Sequence, residues 1–144
     1  MNIKEDPISE YKIKDYIILT VFGFLWIAGF IIECTADNEK FVFKTRAVNK
    51  GKFITTGIWK YSRHPNYFGE ILMWWCVCII VVCSDFKDFM LLGSLTSPFF
   101  TMILLLGVSG IPMVDAIGLK RWGHLQEYQE YTKNTSLLIP WFPK

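Results

Sequence analysis

The sequence has few charged residues and little net charge. Charged side chains make up 19% of its 144 residues, against roughly a quarter in soluble domains. The formal net charge is only +2, so there is no strong basic field of the kind that binds nucleic acid. Hydrophobic residues make up 52% of the chain, and the mean hydropathy is +0.31. The composition therefore indicates a small membrane protein of one domain.

Histidine and cysteine are also scarce, with two and four residues respectively. Cys76, Cys78 and Cys83 lie in one apolar run, and neither His64 nor His124 has a C-x-x-C motif nearby. Disulfide scaffolds place cysteines in polar loops, and structural zinc sites pair them with histidines at fixed spacing. We therefore predict no metal site, and reduced cysteines that pack inside the membrane.

Long apolar stretches are present at residues 17–33, 65–83 and 89–114. Each is close to the roughly 20 residues that a membrane-spanning helix needs. Acidic residues before the first stretch argue against a signal peptide, and Pro98 predicts a kink in the third. We predict an all-α integral membrane protein, a single domain over residues 1–144. It has about three spanning helices and a C-terminal amphipathic, interfacial helix over 118–133.

Lysine and arginine are divided unequally between the two sides of this arrangement. The loop 34–64 holds seven and the tail 115–144 holds four, whereas the N-terminus and the loop after residue 83 together hold four. Cytoplasmic segments of membrane proteins carry the excess of positive residues. The loop and the tail are therefore predicted to face the cytosol, with the N-terminus on the opposite side.

Polar residues with potential chemistry cluster at 33–44 and at 59–70. Asn66 and Glu70 share one face of the second predicted helix, with Tyr67 beside them. Glu70 is an ionisable residue entering a membrane helix, which makes it a functional candidate. Arg63 and His64 lie just before that helix and could bind an anion. Attraction to anionic lipid stays an alternative explanation for the basic residues. The sequence lacks G-x-G-x-x-G, so any dinucleotide would not be held by a Rossmann fold.

The run Gly57–Glu70 (GIWKYSRHPNYFGE), followed by Trp74-Trp75, resembles the signature of the steroid 5-alpha-reductase C-terminal family. It is most similar to the branch of membrane proteins labelled DUF1295. Other segments resemble the same branch in the same order: Ala36–Lys40 with Phe43-Lys44, Val108–Pro112, Tyr128–Tyr131 and Leu138–Pro143.

The resemblance implies an all-helical membrane fold that binds NADPH in a cytosol-facing cavity and reduces the C=C bond of a steroid- or lipid-like enone. It implies nine cofactor-binding residues: Asp37, Lys44, Arg63, His64, Asn66, Tyr67, Glu70, Arg121 and Tyr131. Asp115 stands where the family usually has glutamate. The catalytic residues stay unassigned, because in the family the groups that polarise the substrate carbonyl lie on N-terminal helices. Only about 16 residues precede the first apolar stretch, so we expect a reductase or only its cofactor-binding half.

Two other functions stay open. Isoprenylcysteine and phospholipid methyltransferases share Arg-His-Pro-x-Tyr but bind S-adenosylmethionine, and they usually carry a Glu-Glu pair that this tail lacks. The second of these is a non-catalytic role, in which the chain is a truncated relative that only binds cofactor or pairs with another subunit. The expected partners are the lipid bilayer and a hydrophobic small-molecule substrate, with an oligomer as an open option and no nucleic acid. In a eukaryote the expected membrane is the endoplasmic reticulum.

Overall fold

A computed structural model describes residues 7–83 and 90–143 of the chain. Its elements, in chain order, are α1 (Pro7–Thr45), two 3-10 turns (Ala47–Asn49 and Gly57–Lys60), α2 (Pro65–Cys83), α3 (Met90–Met102), a π-helical segment (Ile103–Val108), α4 (Ile111–Trp122) and α5 (Gln126–Asn134). Within the described ranges there is no β-strand, only an isolated bridge between Ser62 and Ser136. The predicted all-α class is confirmed.

Three helical stretches are long and apolar enough to cross a membrane: Ile13–Thr45, Pro65–Cys83 and Gly93–Trp122. Their number confirms the three predicted spans, and the second has the predicted bounds. Pro98 lies inside α3, and the irregular backbone follows it in the π-helical segment. The predicted start of the third span at residue 89 lies outside the described residues.

Helix α1 is longer than the first predicted span. It continues to Thr45, so the first part of the predicted loop 34–64 is helical. Residues 34–45 contain neither glycine nor proline, so nothing in the local sequence stops the helix where the apolar run ends. Lys44 lies in the last turn, where a cation interacts favourably with the carbonyl end of the helix.

The tail differs from the single helix predicted over 118–133. Helix α4 ends at Trp122 and α5 begins at Gln126, because Gly123 and Leu125 close the last turn through backbone bonds of 2.8 Å to Leu119 and Trp122. Glycine is common where helices end. The Trp122 indole then donates a 2.6 Å hydrogen bond to the Gly51 carbonyl, which ties the end of α4 to the loop before α2.

Helices α1 and α2 approach each other closely at Gly29 and Gly69. A Cβ atom on Gly69 would lie 2.5 Å from the Gly29 carbonyl oxygen, and one on Gly29 would lie 2.9 Å from the Gly69 oxygen. Small residues allow such close contact between membrane helices. The crossing also brings the polar start of α2 against Glu33, one turn beyond Gly29 on α1.

The four cysteines are free, as predicted. Cys76 and Cys78 are buried and Cys83 is half-buried, whereas Cys34 is exposed on α1. Packing inside the fold therefore holds for the cysteines of α2 but not for Cys34.

The C-terminal segment 135–143 packs along the loop before α2. The Arg63 N–H donates to the Ser136 carbonyl at 2.8 Å, and the Trp141 N–H donates to the Tyr61 carbonyl at 2.9 Å. The Ser62 hydroxyl donates to the carbonyl oxygen of the tail residue Leu138 at 2.7 Å. The loop and the tail therefore lie at the same end of the helices.

Candidate functional site

A cavity lies between the end of α1, the loop 52–64, α4 and α5. It holds about 620 Å³ of atom-free space, its open mouth included. Its walls carry four cationic side chains, Lys40, Lys44, Lys52 and Arg63, and one carboxylate, Asp115. Its aromatic walls come from Phe43, Phe53, Trp59, Trp122, Tyr128 and Tyr131. We call this the basic cavity, because its excess of positive charge attracts an anionic ligand.

Trp59 joins three parts of the basic cavity. It is 4% exposed, and its indole N–H donates to the Ala36 carbonyl of α1 at 3.0 Å. The Lys40 ammonium lies 4.8 Å from the centre of its ring, a favourable cation–π arrangement. The Tyr131 hydroxyl of α5 donates to the Trp59 carbonyl at 2.7 Å. The wall formed by α1, the loop and α5 is therefore held by directional bonds.

The turn before Trp59 is fixed to α1 by Glu39. The Ile58 N–H donates to the Glu39 carboxylate at 3.0 Å. Gly57 has a φ of +60°, a region that favours glycine, and a Cβ atom there would overlap the Glu39 carboxylate. A residue with a side chain would therefore displace this turn.

Phe53 forms the opposite aromatic wall. Its ring centre lies 5.7 Å from Trp122, 5.0 Å from Tyr128 in an edge-to-face arrangement, and 5.8 Å from Tyr131. Burial raises the pKa of the Tyr128 and Tyr131 hydroxyls above the ordinary tyrosine value. These rings are therefore neutral at physiological pH, and they offer flat surfaces on which an aromatic ligand group can stack.

Arg63, His64 and Asp115 meet on one side of the basic cavity. One Asp115 oxygen lies 3.0 Å from His64 Nε2, and the other lies 3.4 Å from Arg63 Nη1. Burial is the main cause of a lowered pKa for His64, and Arg63 and Lys40 lower it further, while Asp115 acts in the opposite direction. Arg63 Nε is buried and has no hydrogen-bond partner in the described part of the chain.

Four of the nine predicted cofactor-binding residues line the basic cavity: Lys44, Arg63, His64 and Tyr131. Four others lie beside it, where α1 meets the start of α2: Asp37, Asn66, Tyr67 and Glu70. The Asn66 amide donates to the Asp37 carboxylate at 3.0 Å. The Tyr67 ring stacks parallel to the His64 ring, with 5.4 Å between their centres. His64 therefore connects the two groups.

Glu33 adds a third acidic residue to this neighbourhood. Asp37 and Glu70 are close enough to interact electrostatically with it. Its Oε2 atom is buried and has no hydrogen-bond partner among the described residues. A ligand that reaches this region from the basic cavity would therefore meet hydrogen-bond acceptors.

Arg121, the ninth predicted residue, lies elsewhere. It is exposed and lines a separate shallow depression with Gly51, His124 and Leu125. Its neighbour Trp122 lines both this depression and the basic cavity.

Several wall residues were not among the nine predicted residues: Lys40, Lys52, Phe53, Trp59, Trp122, Tyr128 and Asp115. The sequence places Lys40 among charges next to the membrane, and Trp122 and Tyr128 in an apolar helical stripe. No sequence pattern sets Lys52 or Phe53 apart. Lys52 and Phe53 are identified only by the packing of the loop against α4 and α5.

The profile of the family described as "Protein of unknown function (DUF1295)" matches residues 8–135. The chain is 30% identical over 128 residues to 3-oxo-5-alpha-steroid 4-dehydrogenase 1 of Macaca fascicularis, covering 89% of this chain and 42% of that protein. It is 35% identical over 77 residues to a Delta(14)-sterol reductase of Ascobolus immersus, covering 43% of this chain and 18% of that protein. It is also 44% identical over 46 residues to "Probable O-methyltransferase ustE" of Ustilaginoidea virens. That match covers 31% of this chain and 16% of that protein.

The chain spans less than half the length of each of these relatives. No solved structure matches it significantly. The family profile extends over most of the chain, and the motif between Gly57 and Glu70 supplies walls of the cavity. The chain therefore belongs to the DUF1295 family, as its sequence motifs predict.

Proposed function

We propose that this protein is a membrane-bound oxidoreductase that holds NADPH in the basic cavity and reduces the C=C bond of a steroid- or lipid-like enone. The observation that carries the proposal is the convergence of four cations and six aromatic rings on one cavity. Alignment with a steroid dehydrogenase and with sterol reductases supports reduction as the chemistry.

The residues present fit such a cofactor. NADPH combines phosphate groups with flat heterocycles, which match cationic side chains and aromatic walls respectively. Arg63 Nε is a buried donor with no partner in the described chain, and buried donors in native proteins are normally paired. A phosphate oxygen would satisfy it. Lys44 and Lys52 would provide further positive charge, which favours a ligand with the additional 2′-phosphate over NADH.

The chain's own contribution would be to bind and orient. A reduced nicotinamide supplies a hydride to a polarised double bond. Trp59 and Tyr131 would hold the shape of the cavity through their shared hydrogen bond. Asn66, Tyr67 and Glu70 would extend the binding surface along the start of α2, next to His64.

The match to an O-methyltransferase favours a second candidate function. In that case the basic cavity would hold S-adenosylmethionine, whose sulfonium centre is positively charged. Equilibrium binding to purified protein in detergent distinguishes the two functions. Saturable binding of NADPH that is tighter than binding of NADH supports the reductase. Binding of S-adenosylmethionine without binding of NADPH would overturn it.

Lys52 and Lys50 offer a matched pair of variants for the basic cavity. Lys52 lines the cavity, whereas Lys50 lies two positions earlier on an exposed part of the same loop. We expect Lys52→Gln to weaken NADPH binding by roughly two- to fivefold, as for an exposed charge pair. Lys50→Gln should change it less, and added salt should reduce the difference between the two variants. Fluorescence titration measures this, and equal losses in both variants would show that only the net charge matters.

We also propose that the basic cavity and the tail face the cytosol. The hydrogen bonds between the loop and the segment after α5 place both at one end of the helices. Cysteine introduced at Lys50 or Lys133, in a chain without native cysteines, should react from the cytosolic side of sealed vesicles. Cysteine at Lys14, near the other end of α1, should react only from the opposite side. A shared side for Lys14 and Lys50 would contradict the three-span arrangement.

A further inference from the structure

His64 is the most buried titratable side chain on the wall of the basic cavity, with 3% of its surface exposed. Its backbone N–H donates to the Ser62 hydroxyl at 3.1 Å. Its ring is held by Asp115 at 3.0 Å from Nε2 and by the parallel ring of Tyr67. The imidazole is therefore fixed from two sides by residues of α4 and α2.

The contact with Asp115 determines which ring nitrogen carries the proton of a neutral His64. A carboxylate accepts a hydrogen bond, so Nε2 holds the hydrogen and Nδ1 is left without one. Nδ1 has no protein partner in the described part of the chain. A second proton on His64 would therefore bind at Nδ1, which leaves that nitrogen available to a ligand.

Burial is the main factor that opposes protonation of His64, and the charges around it act in both directions. Arg63 on the preceding residue and Lys40 of α1 disfavour a positive imidazole, and Asp115 of α4 favours one. The neighbouring ionisable groups of α2 and α5, Tyr67 and Tyr131, are neutral phenols at pH 7. An anionic ligand in the basic cavity would offset the two cations, so binding would promote proton uptake by His64.

We propose that His64, positioned by Asp115, supplies the proton that completes reduction of the double bond. This inference rests on the proposed function. One carbon of the C=C bond accepts a hydride from the reduced nicotinamide, which is oxidised. The π-electron pair moves to the other carbon, and that carbon forms its new C–H bond with the proton from Nδ1. His64 is left neutral and recovers a proton from solvent, so one double bond is reduced for each hydride and proton consumed.

The other acids on the walls of the basic cavity are less suited to this role. The Tyr131 proton is engaged by the Trp59 carbonyl, and burial raises the pKa of both Tyr128 and Tyr131. Histidine is the side chain that exchanges a proton near neutral pH, where a general acid works best.

The chain has only two histidines, so the proposal can be tested by NMR on histidine-labelled protein in detergent. His124 is exposed on the connection between α4 and α5 and serves as the internal reference, with His124→Gln assigning the signals. We expect addition of NADP⁺ to move the titration midpoint of His64 to higher pH by about one pH unit, and to leave His124 unchanged. Asp115→Asn should lower the His64 midpoint, and Asp115→Glu should restore it.

Single-turnover reduction of 4-androstene-3,17-dione by bound NADPH provides the second measurement. The rate should fall as pH rises through the His64 midpoint, and Asp115→Asn should move this fall to lower pH. His64→Gln should slow hydride transfer by roughly 10²- to 10⁴-fold, with a far smaller change in NADP⁺ affinity. A His64 midpoint that NADP⁺ does not raise, or a His64→Gln variant with the wild-type rate, would overturn the proposal. Absence of NADP⁺ binding to the wild-type protein would instead overturn the proposed function itself.

Discussion

Arg63→Gln should weaken NADPH binding by roughly 10- to 100-fold. Arg63 is one of four cations on the walls of the basic cavity, and its Nε is buried with no partner among the described residues. Hydrogen bonds between a charged donor and a ligand contribute about 1.5–3 kcal/mol, and each 1.4 kcal/mol corresponds to a tenfold change in affinity. Glutamine keeps much of the side-chain volume but removes the positive charge. Titration of the purified variant with NADPH measures the loss.

Arg46→Gln is the matched control, because Arg46 is exposed and does not line the basic cavity. Its NADPH affinity should stay within about twofold of the wild-type value, as for most surface positions. Arg121→Gln then distinguishes between two expectations for the position of Arg121 relative to the cofactor. The sequence motifs place Arg121 near the phosphates, whereas the structure places it on another surface. If the Arg63→Gln variant binds NADPH with wild-type affinity, the basic cavity is not the cofactor site.

The lengths of the helices show what local sequence can and cannot predict. The start of α2 was predictable, since Pro65 opens it and an apolar run follows at once. The end of α1 was not, because residues 34–45 are compatible with a helix and have no stop signal. In the structure the Asn49 amide donates to the Phe43 carbonyl at 2.9 Å, satisfying a carbonyl near the end of α1. That bond depends on the path of the following turn, which the residue pattern does not specify.

In the candidate site, too, the sequence motifs predict some of the residues, and contacts between distant parts of the chain determine the others. The motif Gly57–Glu70 identified Arg63 and His64, which line the basic cavity. Successive residues of a helix point about 100° apart, so Trp122 lines the basic cavity whereas its neighbour Arg121 does not. The Trp122 bond to Gly51 fixes that rotation. It joins residues far apart in the chain, and no local pattern indicates it.

The close contact between α1 and α2 at Gly29 and Gly69 gives the largest expected effect on stability. Gly69→Leu would place a side chain where the Gly29 carbonyl and the Glu33 backbone N lie within 3 Å of a Cβ atom. Backbone atoms of two helices cannot move aside as the end of a side chain can. We expect destabilisation of about 1–3 kcal/mol or more, as for other overpacked interiors. At this chain length that lowers the melting temperature by roughly 4–12 °C.

Gly23→Leu is the control for that variant. Gly23 lies on α1 in the candidate span that also holds Gly29, and a Cβ atom there would have no neighbour within 4 Å. It should melt within a few degrees of the wild-type protein in the same detergent. Gly69→Leu should also weaken NADPH binding, since α1 and α2 carry Lys44 on one side and the stacked Tyr67 on the other. Equal melting temperatures for the two variants would show that α1 and α2 do not cross at these glycines. Loss of both stability and NADPH binding in Gly69→Leu, with neither lost in Gly23→Leu, would tie the shape of the basic cavity to this crossing.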